Sequence, residues 1–459
     1  MPSIRDFETW MPLLAVLWGS DPDGLIAPGS YVAGGVDVRG GYWWSTPPGH
    51  SHPPTSVVRA VAARTGVDPV AVVRDALKKA EMPSIPFVVN FFRGGRVVLH
   101  LLEFGPAVEV NFGGIGLGSL VLVDGALPEL WRRQPAPAPR AKPAASANPE
   151  LLERRLRERL PGAIGATEAE IAAAEARLGL PFPEELKALY RVTRARWEDW
   201  SDDHESAERL CAAVGCYPLP LDQLYMATAA TRPLQWMFAS KEVAYTSPSG
   251  AVQALVGSPG WLVFASDGGG QVAIDLTPGP RGNIGQVITI WDDEHYGAGL
   301  FARSITDLVM GKRKRRGGSR LGEMPEVASV NRGALRSIEA AAGPDLEVLS
   351  IGVREEEPLS LSPAAGLPGL RTLTALPGTL ADPLEVTRLA GLEYLELGVP
   401  DWRALLDAGA VPRGLLAAGV EPHGGRDPIQ IVTVANELLA LWGRPRITED
   451  ILEGKVADE

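Results

Sequence analysis

Two stretches of sequence decide the fold of the central part of the chain. The first reads ATEAEIAAAEARLGLPFPEELKALY at residues 166–190, and the second reads WLVFASDGGGQVAIDL at residues 261–276. In the first stretch, Thr167 and Glu170 have the spacing of a capping box, and Gly179 marks the end of the helix that they begin. In the second stretch, two apolar runs flank a glycine-rich turn, which is typical of a β-hairpin. The pattern therefore predicts consecutive helices followed by antiparallel strands.

The order and spacing of these residues resemble the SUKH superfamily, which includes the fungal cell-wall-synthesis regulators and many bacterial immunity proteins. The resemblance covers about residues 150–310. It implies an α+β domain with an antiparallel sheet flanked by helices, and it implies protein binding rather than catalysis. The motif residues that the resemblance implies, with a mainly structural role, are Pro181, Glu185, Leu186, Tyr190, Trp261, Asp267, Gly268, Gly269 and Asp275.

The sequence departs from the family where an Asn-Gly pair usually follows the tyrosine. Here residues 191–194 read RVTR, and an insertion that reads WEDWSDD follows at residues 197–203. Two tryptophans among four acidic residues favour contact with a basic surface, because tryptophan is enriched among the residues that dominate binding energy. The alternative is that both tryptophans pack inward while the acidic side chains are solvated. The predicted partner-binding residues are Trp197, Glu198, Asp199, Trp200, Asp202 and Asp203.

Two breaks divide the chain into three segments. Residues 134–149 read QPAPAPRAKPAASANP, and their prolines predict a semi-rigid extended linker. Residues 311–320 read GKRKRRGGSR and predict a solvated basic linker. The resulting domains are a mixed α/β domain of unknown family at 1–133, the SUKH-like domain at 150–310, and a C-terminal segment at 321–459.

The N-terminal segment contains a predicted hairpin. Its strands, IPFVVNFF at residues 85–92 and RVVLHLLEF at 96–104, are separated by Arg93-Gly94-Gly95. The glycine run at 113–118 is followed by another strand-like stretch, SLVLVDG, and not by the helix that a phosphate-binding loop requires. We therefore interpret it as a glycine-rich hairpin.

Residues 61–78 have the spacing of a helix-turn-helix. In DNA-binding proteins of this type, the second helix carries polar side chains that contact the bases, but here it carries Val70, Val72 and Val73. Asp68 would also repel the phosphate backbone. We expect a helical pair packed on the sheet of this segment, and we do not expect nucleic-acid binding.

The C-terminal segment contains a weak repeat. The pattern LxxLxL occurs at residues 346–351, 370–375 and 392–397, with Ile351 and Ala375 at the last position of the first two copies. A period of this length predicts a short leucine-rich-repeat-like solenoid with inward leucines. The final run, at 431–443, predicts a helix that caps the stack. The alternative is an irregular α/β domain.

Charge and composition exclude several classes of protein. The 459-residue chain has a net charge of -12, and residues 150–310 carry 14 Lys and Arg against 22 Asp and Glu. An acidic segment of this kind is better suited to bind a basic protein than nucleic acid. The alternative is that its negative charge serves only to keep the protein in solution. No apolar window is long enough to span a membrane. With Cys211 and Cys216 as the two cysteines, no disulfide framework is expected, and a cytoplasmic location is predicted.

The candidate chemical motifs predict no catalytic residue, no metal and no cofactor. Asp267 and Asp275 flank a hairpin and would have to converge to act as a catalytic pair of carboxylates. The glycines beside Asp267 favour a role for this residue in the geometry of the turn instead. The runs at 292–295 (DDEH) and 50–52 (HSH) lack the spacing of metal-binding loops. The five cations at 312–316 are interpreted as a solvated linker, with binding to nucleic acid or a membrane surface as the alternative.

These observations together predict a cytoplasmic protein that is not an enzyme. We expect an immunity-type or regulatory binding protein that recognises one protein partner stoichiometrically, such as a basic toxin or a cell-envelope factor. One alternative is a multi-domain regulatory scaffold of cell-envelope or defence machinery. Another is an enzyme whose site lies in residues 1–133.

Overall fold

Strand pairing assembles the chain into two units. In the computed structural model, Met1–Ala126 and Met324–Glu459 form unit 1, and Leu127–Glu323 forms unit 2. The structure describes residues 3–39, 41–47, 49–50, 53–66, 68–110, 119–200, 204–294, 296–314, 325–354, 357–422 and 428–456.

The N-terminal part of unit 1 alternates helices and strands. Its helices and strands are α1 (Phe7–Ser20), α2 (Pro22–Leu25), β1 (Val32–Asp37), β2 (Tyr42–Ser45), α3 (Ser56–Thr65), α4 (Ala71–Lys79), β3 (Ser84–Phe91), β4 (Arg96–Glu103), β5 (Val108–Val110) and β6 (Leu120–Val123). The predicted hairpin is confirmed, because β3 and β4 pair antiparallel across a turn in which Gly94 and Gly95 have φ of 72° and 74°.

Unit 2 begins with helices and continues into a sheet. Its helices and strands are α5 (Glu129–Arg132), α6 (Pro149–Arg159), α7 (Glu168–Leu178), α8 (Glu184–Val192), α9 (His204–Val214), β7 (Tyr217–Pro218), β8 (Tyr225–Met226), α10 (Trp236–Ala239), β9 (Trp261–Ser266), β10 (Gly270–Asp275), β11 (Gln286–Trp291), β12 (Gly299–Ala302) and α11 (Ile305–Val309). A 3₁₀ turn at Trp197–Trp200 separates α8 from α9.

The C-terminal part of unit 1 is a series of short strands with intervening helices. These are β13 (Val327–Val330), α12 (Ile338–Ala341), β14 (Val348–Ile351), β15 (Thr372–Ala375), β16 (Tyr394–Gly398), α13 (Val399–Asp407), β17 (Ala417–Glu421), α14 (Pro428–Leu441) and β18 (Thr448–Lys455).

One sheet of unit 1 joins strands from both ends of the chain. Its order is β18-β4-β3-β1-β2, and every pair is antiparallel. Trp10 and Leu13 of α1 pack with Phe87 and Val89 of β3 in its core. The two valines at 70 and 73 are buried in the same core, so the helical pair α3–α4 packs there, as expected.

The second sheet of unit 1 contains the strands of the three LxxLxL segments. Strands β13 to β17 pair in parallel in consecutive order, and β6 and β5 extend the sheet antiparallel. Leu349, Leu373 and Leu395, the middle leucines of the three motifs, are fully buried in one core. Helix α14 packs on this core as well.

The domain boundaries differ from those predicted at 1–133 and 321–459. Strand β18 pairs with β4, and β17 pairs with β6, so the two terminal segments share both sheets. The C-terminal segment also ends in a strand that was not predicted. The physical reason is that the free edge of β4 pairs with β18 through backbone hydrogen bonds. Such pairing leaves little trace in the pattern of side chains.

Unit 2 confirms the α+β class. Its sheet has the order β12-β11-β10-β9-β7, is antiparallel throughout, and has β8 as a further partner of β9. Leu262 and Phe264 belong to a core that includes the helices α6 to α8, whereas Trp261 and Val263 belong to a smaller core on the opposite face. The predicted capping box of α7 is present at Thr167.

The proline-rich stretch 134–149 is docked on unit 2 and is not a free spacer. The Ala136 amide donates to Gln253 Oε1 at 2.8 Å, and the Ile284 amide donates to the Lys142 carbonyl at 3.1 Å. The Ser146 hydroxyl donates to the Asp307 carboxylate at 2.6 Å. Prolines exclude a regular ladder, but the amides and carbonyls between them still form bonds with loops.

Among the described helices, none combines the length and the apolar character needed to cross a bilayer.

Candidate functional site

The insertion after α8 begins with a tightly held turn. The Arg194 amide donates to the Ile164 carbonyl at 2.8 Å, and the Ala195 amide donates to the Thr193 hydroxyl at 3.2 Å. Ala195 has a φ of 55°, which is uncommon for a residue with a Cβ atom. The chain is thereby redirected into the 3₁₀ turn Trp197–Trp200, which starts the predicted partner-binding segment.

Asp199 is engaged within the chain. Arg194 donates to its two carboxylate oxygens, from Nη2 at 2.5 Å and from Nε at 2.7 Å. Its side chain is only 6% exposed, and the Arg194 hydrogen bonds lower its pKa. Asp199 therefore fixes the turn, and its charge is compensated by an arginine before any partner arrives.

The other predicted residues of this segment are placed differently. Glu198 is exposed. The backbones of Trp197 and Trp200 lie in the 3₁₀ turn, whereas their side chains, together with Asp202 and Asp203, lie outside the described residues. Among the residues of this turn whose side chains the structure describes, Glu198 therefore has the one exposed carboxylate.

Ion pairs connect the surfaces of α7 and α8 next to this turn. Arg191 pairs with Glu168 at 2.6 Å, and Arg196 approaches Glu170 at 3.5 Å. The Arg191 hydrogen bond lowers the pKa of Glu168. Acidic residues of this face thus have cationic neighbours, which weakens the uniform negative field that the composition of the segment suggested.

Glu185, from the family motif, is a buried hydrogen-bond acceptor. Its Oε1 accepts from the Thr306 amide at 3.0 Å, from the Thr306 hydroxyl and from the Asn148 amide at 3.3 Å. Its Oε2 accepts from the Ile305 amide at 3.3 Å. The carboxylate thus joins α8, the start of α11 and the end of the proline-rich stretch.

Three further motif residues lie at the helical side of the sheet. Leu186 and Tyr190 are fully buried, and the Tyr190 hydroxyl donates to the Leu219 carbonyl at 2.7 Å. Pro181 is exposed just before α8. Leu186 and Tyr190 therefore connect α8 to the strand side of the domain.

Asp275 lies at the end of β10 and is fully buried beside Trp261. Its carboxylate accepts from the Thr277 amide and from Gln286 Nε2, both at 2.9 Å. Burial raises its pKa to about 6. The second partner, Gln286, also donates to the Ala251 carbonyl at 2.7 Å, so the carboxylate braces the loops below the sheet.

Asp267, Gly268 and Gly269 form the turn between β9 and β10. Asp267 Oδ1 accepts from the Gly269 amide at 3.1 Å, and Gly268 has a φ of 87°. Asp267 is exposed, whereas Asp275 is buried at the far end of the same strand, so the two carboxylates are not brought together.

The remaining sequence motifs are placed as follows. In the helix-turn-helix-like stretch, Arg74 pairs with Asp68, which removes one cation from the face that DNA binding requires. The glycine run at 113–118, the residues 51, 52 and 295 of the two histidine-containing runs, and the cations at 315 and 316 lie outside the described residues. In the described part, no three His, Cys, Asp or Glu side chains cluster to hold a metal.

Sequence reasoning missed Arg194 as the partner of Asp199. The signal was present as a cation five residues before the acid in RARWED. Side chains five residues apart are not neighbours on a helix, so the sequence alone does not indicate that Arg194 and Asp199 form a pair. The pairing follows from the turn between them.

Comparison with known proteins supports the resemblance. Residues 165–311 match the model of the SMI1 / KNR4 family (SUKH-1). This part of the chain, which lies within unit 2, is therefore an SMI1/KNR4 domain, and the predicted resemblance is confirmed.

One curated relative gives a second match. It is named cell wall biosynthesis/cell cycle regulator smi1, from Schizosaccharomyces pombe, and is 28% identical over 148 residues. The match covers 28% of this chain and 27% of the relative. The chain thus spans about a quarter of the length of the relative that it matches.

Proposed function

We propose that the protein is a regulatory binding protein that recognises one protein partner stoichiometrically through unit 2. The family match at residues 165–311 and the regulator named above support a protein-interaction role. The finer proposal is that the segment 197–203 supplies the contact, with Trp197, Trp200 and the acids Glu198, Asp202 and Asp203 as its members and Asp199 as the residue that shapes it.

The observation that carries this proposal is the fixed presentation of the turn. The ion pair between Arg194 and Asp199 and the hydrogen bonds at residues 193–195 order the backbone before binding. A preordered loop loses little conformational entropy on association, and more of the contact energy then remains as affinity. The exposed Glu198 favours a basic partner.

A non-catalytic role is supported by the motif carboxylates. Glu185 and Asp275 are buried, and each accepts hydrogen bonds from its own chain. We therefore assign them structural roles. This mode of binding agrees with an immunity-type protein that binds a basic toxin, and it agrees equally with a regulator that binds a cell-envelope factor.

A scaffold is the second candidate, and the parallel strands β13 to β17 favour it. The segments that contain β14, β15 and β16 repeat an LxxLxL-like unit with buried leucines, and we propose that the leucine-rich-repeat-like array of β13 to β17 offers a further interaction surface. A scaffold of cell-envelope or defence machinery would use both units, whereas stoichiometric recognition of one partner would use unit 2.

The test is capture of partners by the full-length chain, with bound proteins quantified by mass spectrometry. We expect one basic protein at equal stoichiometry, lost from E198K and from a W197A/W200A variant. The matched control is E150K, which reverses the charge of an exposed acid on α6. A partner that binds E198K, W197A/W200A and the unchanged chain equally would contradict the assignment of the site.

A further inference from the structure

A cationic cleft lies on unit 2, apart from the segment 197–203. It has a volume of about 690 Å³. Four cations line it, namely Arg303, Lys312, Arg313 and Lys314. The sequence interpretation placed three of them in a solvated linker; in the structure the side chains of residues 312–314 are exposed, and their backbone is hydrogen-bonded to the domain.

The backbone of residues 312–314 is anchored at two points. The Lys312 amide donates to the Asp307 carbonyl, and the Lys314 amide donates to the Phe301 carbonyl, both at 2.8 Å. The side chains that line the cleft therefore start from fixed positions, and binding does not require a mobile linker to become ordered.

The Arg313 guanidinium is held between a ring and a glycine. It lies 5.7 Å from the centre of the Phe301 ring. A Cβ atom on Gly215 would lie 2.7 Å from Arg313 Nη2, so the missing side chain makes room for the guanidinium. Gly215 has a φ of 103°, in a region that favours glycine.

The positive charge of the cleft is incompletely balanced. Its one lining carboxylate, Asp307, pairs with Lys312 at 3.4 Å and accepts from the Ser146 hydroxyl. Among the residues that the structure describes, no carboxylate forms an ion pair with Arg303, Arg313 or Lys314. Three uncompensated cations around one cleft repel each other, and a bound anion would relieve that repulsion.

The donors of the cleft match a phosphate group. Arginine donates through a planar fork that suits phosphate oxygens, and lysine adds a point charge. Asn283 also lines the cleft, and its Nδ2 donates one bond to the Lys142 carbonyl at 3.3 Å, which leaves a second amide hydrogen. The volume is within the range of pockets for small ligands of nucleotide size.

We propose that this cleft is a binding site for a small phosphate-bearing anion. The proposal does not depend on the protein partner, because it rests on other residues. It adds a ligand to a domain for which the proposed function requires only a protein contact.

The experiment is calorimetric titration of the full-length chain with inorganic pyrophosphate at about 0.15 M salt, with ADP titrated in parallel. We expect one site per chain. The R303Q/K314Q variant should bind pyrophosphate at least about tenfold more weakly, since each charge-assisted contact contributes roughly that factor. The control R154Q/R155Q removes two exposed cations from α6 and should bind within about twofold of the unchanged chain.

The outcomes separate the alternatives. Binding of both anions supports a nucleotide-like ligand, and binding of pyrophosphate alone supports free phosphate compounds. Pyrophosphate affinity that is equal in R303Q/K314Q and in the unchanged chain would overturn the proposal, as would the absence of binding. Binding of a polyglutamate peptide without pyrophosphate would also overturn it. If R303Q/K314Q is misfolded by circular dichroism, N283D, which replaces the amide donor with a carboxylate, must weaken binding instead.

Discussion

Arg194 and Asp199 form a two-point ion pair that closes the turn after α8, with donor–acceptor distances of 2.5 and 2.7 Å. The pair converts one acid of an acidic segment into a structural element. It therefore separates two properties that the sequence presents together: the shape of the loop, which depends on Asp199, and its open charge, which depends on Glu198.

Removal of the Asp199 charge should loosen the loop. In D199N the two charge-assisted bonds from Arg194 are weakened, so the amide of residue 199, which donates to the Arg196 carbonyl at 3.1 Å, should open more often. Hydrogen–deuterium exchange of the peptide that covers residues 193–200 measures this, and we expect faster exchange.

E198Q is the matched control for D199N, because its side chain is exposed. Its exchange should equal that of the unchanged chain. Unchanged exchange in D199N would show that the ion pair does not hold the turn.

The buried Glu185 carboxylate should be required for the stability of unit 2. In E185Q one oxygen becomes an amide nitrogen that faces amide donors, and at least one buried donor loses its acceptor. We expect the free energy of unfolding to fall by about 1–3 kcal/mol, measured by urea unfolding. E184Q, whose side chain is 64% exposed, should change it by less than about 0.5 kcal/mol. Equal effects of the two substitutions would contradict the role of Glu185.

Asp275 should make stability depend on pH. Burial raises its pKa in the folded state to about 6 from an ordinary value of 3.8. The folded state therefore binds this proton more tightly than the unfolded state, and the free energy of unfolding should decrease as the pH rises from about 4 to about 6, by up to about 3 kcal/mol.

D275N removes this titration. We expect a smaller decrease of the unfolding free energy over the same pH range, as measured by urea unfolding at several pH values. The exposed turn residue offers the comparison: D267N should keep the full pH dependence. A D275N profile parallel to that of the unchanged chain would refute the assignment.

The C-terminal strand should stabilise the N-terminal sheet. Val456 follows β18, is fully buried, and its amide donates to the Gly95 carbonyl at 2.9 Å. V456A should lower the free energy of unfolding by about 2 kcal/mol through lost burial. Ile451 on the same strand is 55% exposed, so I451A should change it by less than about 0.5 kcal/mol. Urea unfolding of both variants checks this, and equal effects would argue against docking of the strand.

Local features of the fold were predictable from sequence because their signals are local. The capping box at Thr167 needs only residues three positions apart, and the β3–β4 hairpin needs only a glycine turn between apolar runs. The repeated leucines at 349, 373 and 395 likewise indicated their own burial. The capping box and the hairpin each lie within 20 residues of sequence, and the leucines recur at steps of 24 and 22 residues.

Pairings between distant segments were not predictable in the same way. Strand β18 reads TEDILEGK, whose acids conceal a strand pattern, and its partner β4 is far away in sequence. Docking of the proline-rich stretch depends on partners that are distant in sequence, namely the Gln253 and Asp307 side chains and the Ile284 amide. For the candidate site, the composition indicated the acidic turn and the basic run, but only the fold shows that Arg194 neutralises Asp199 and that residues 312–314 line a cleft.

The pairing of His100 with Glu449 links positions 349 residues apart, and it has a consequence for synthesis on the ribosome. At a translation rate of about 5–20 residues per second, β18 emerges from the ribosome on the order of 20–70 s after β4. Unit 2 is completed within that interval. The nascent N-terminal sheet therefore has an open edge throughout that interval, and a chaperone that covers strand edges would act on it during that period.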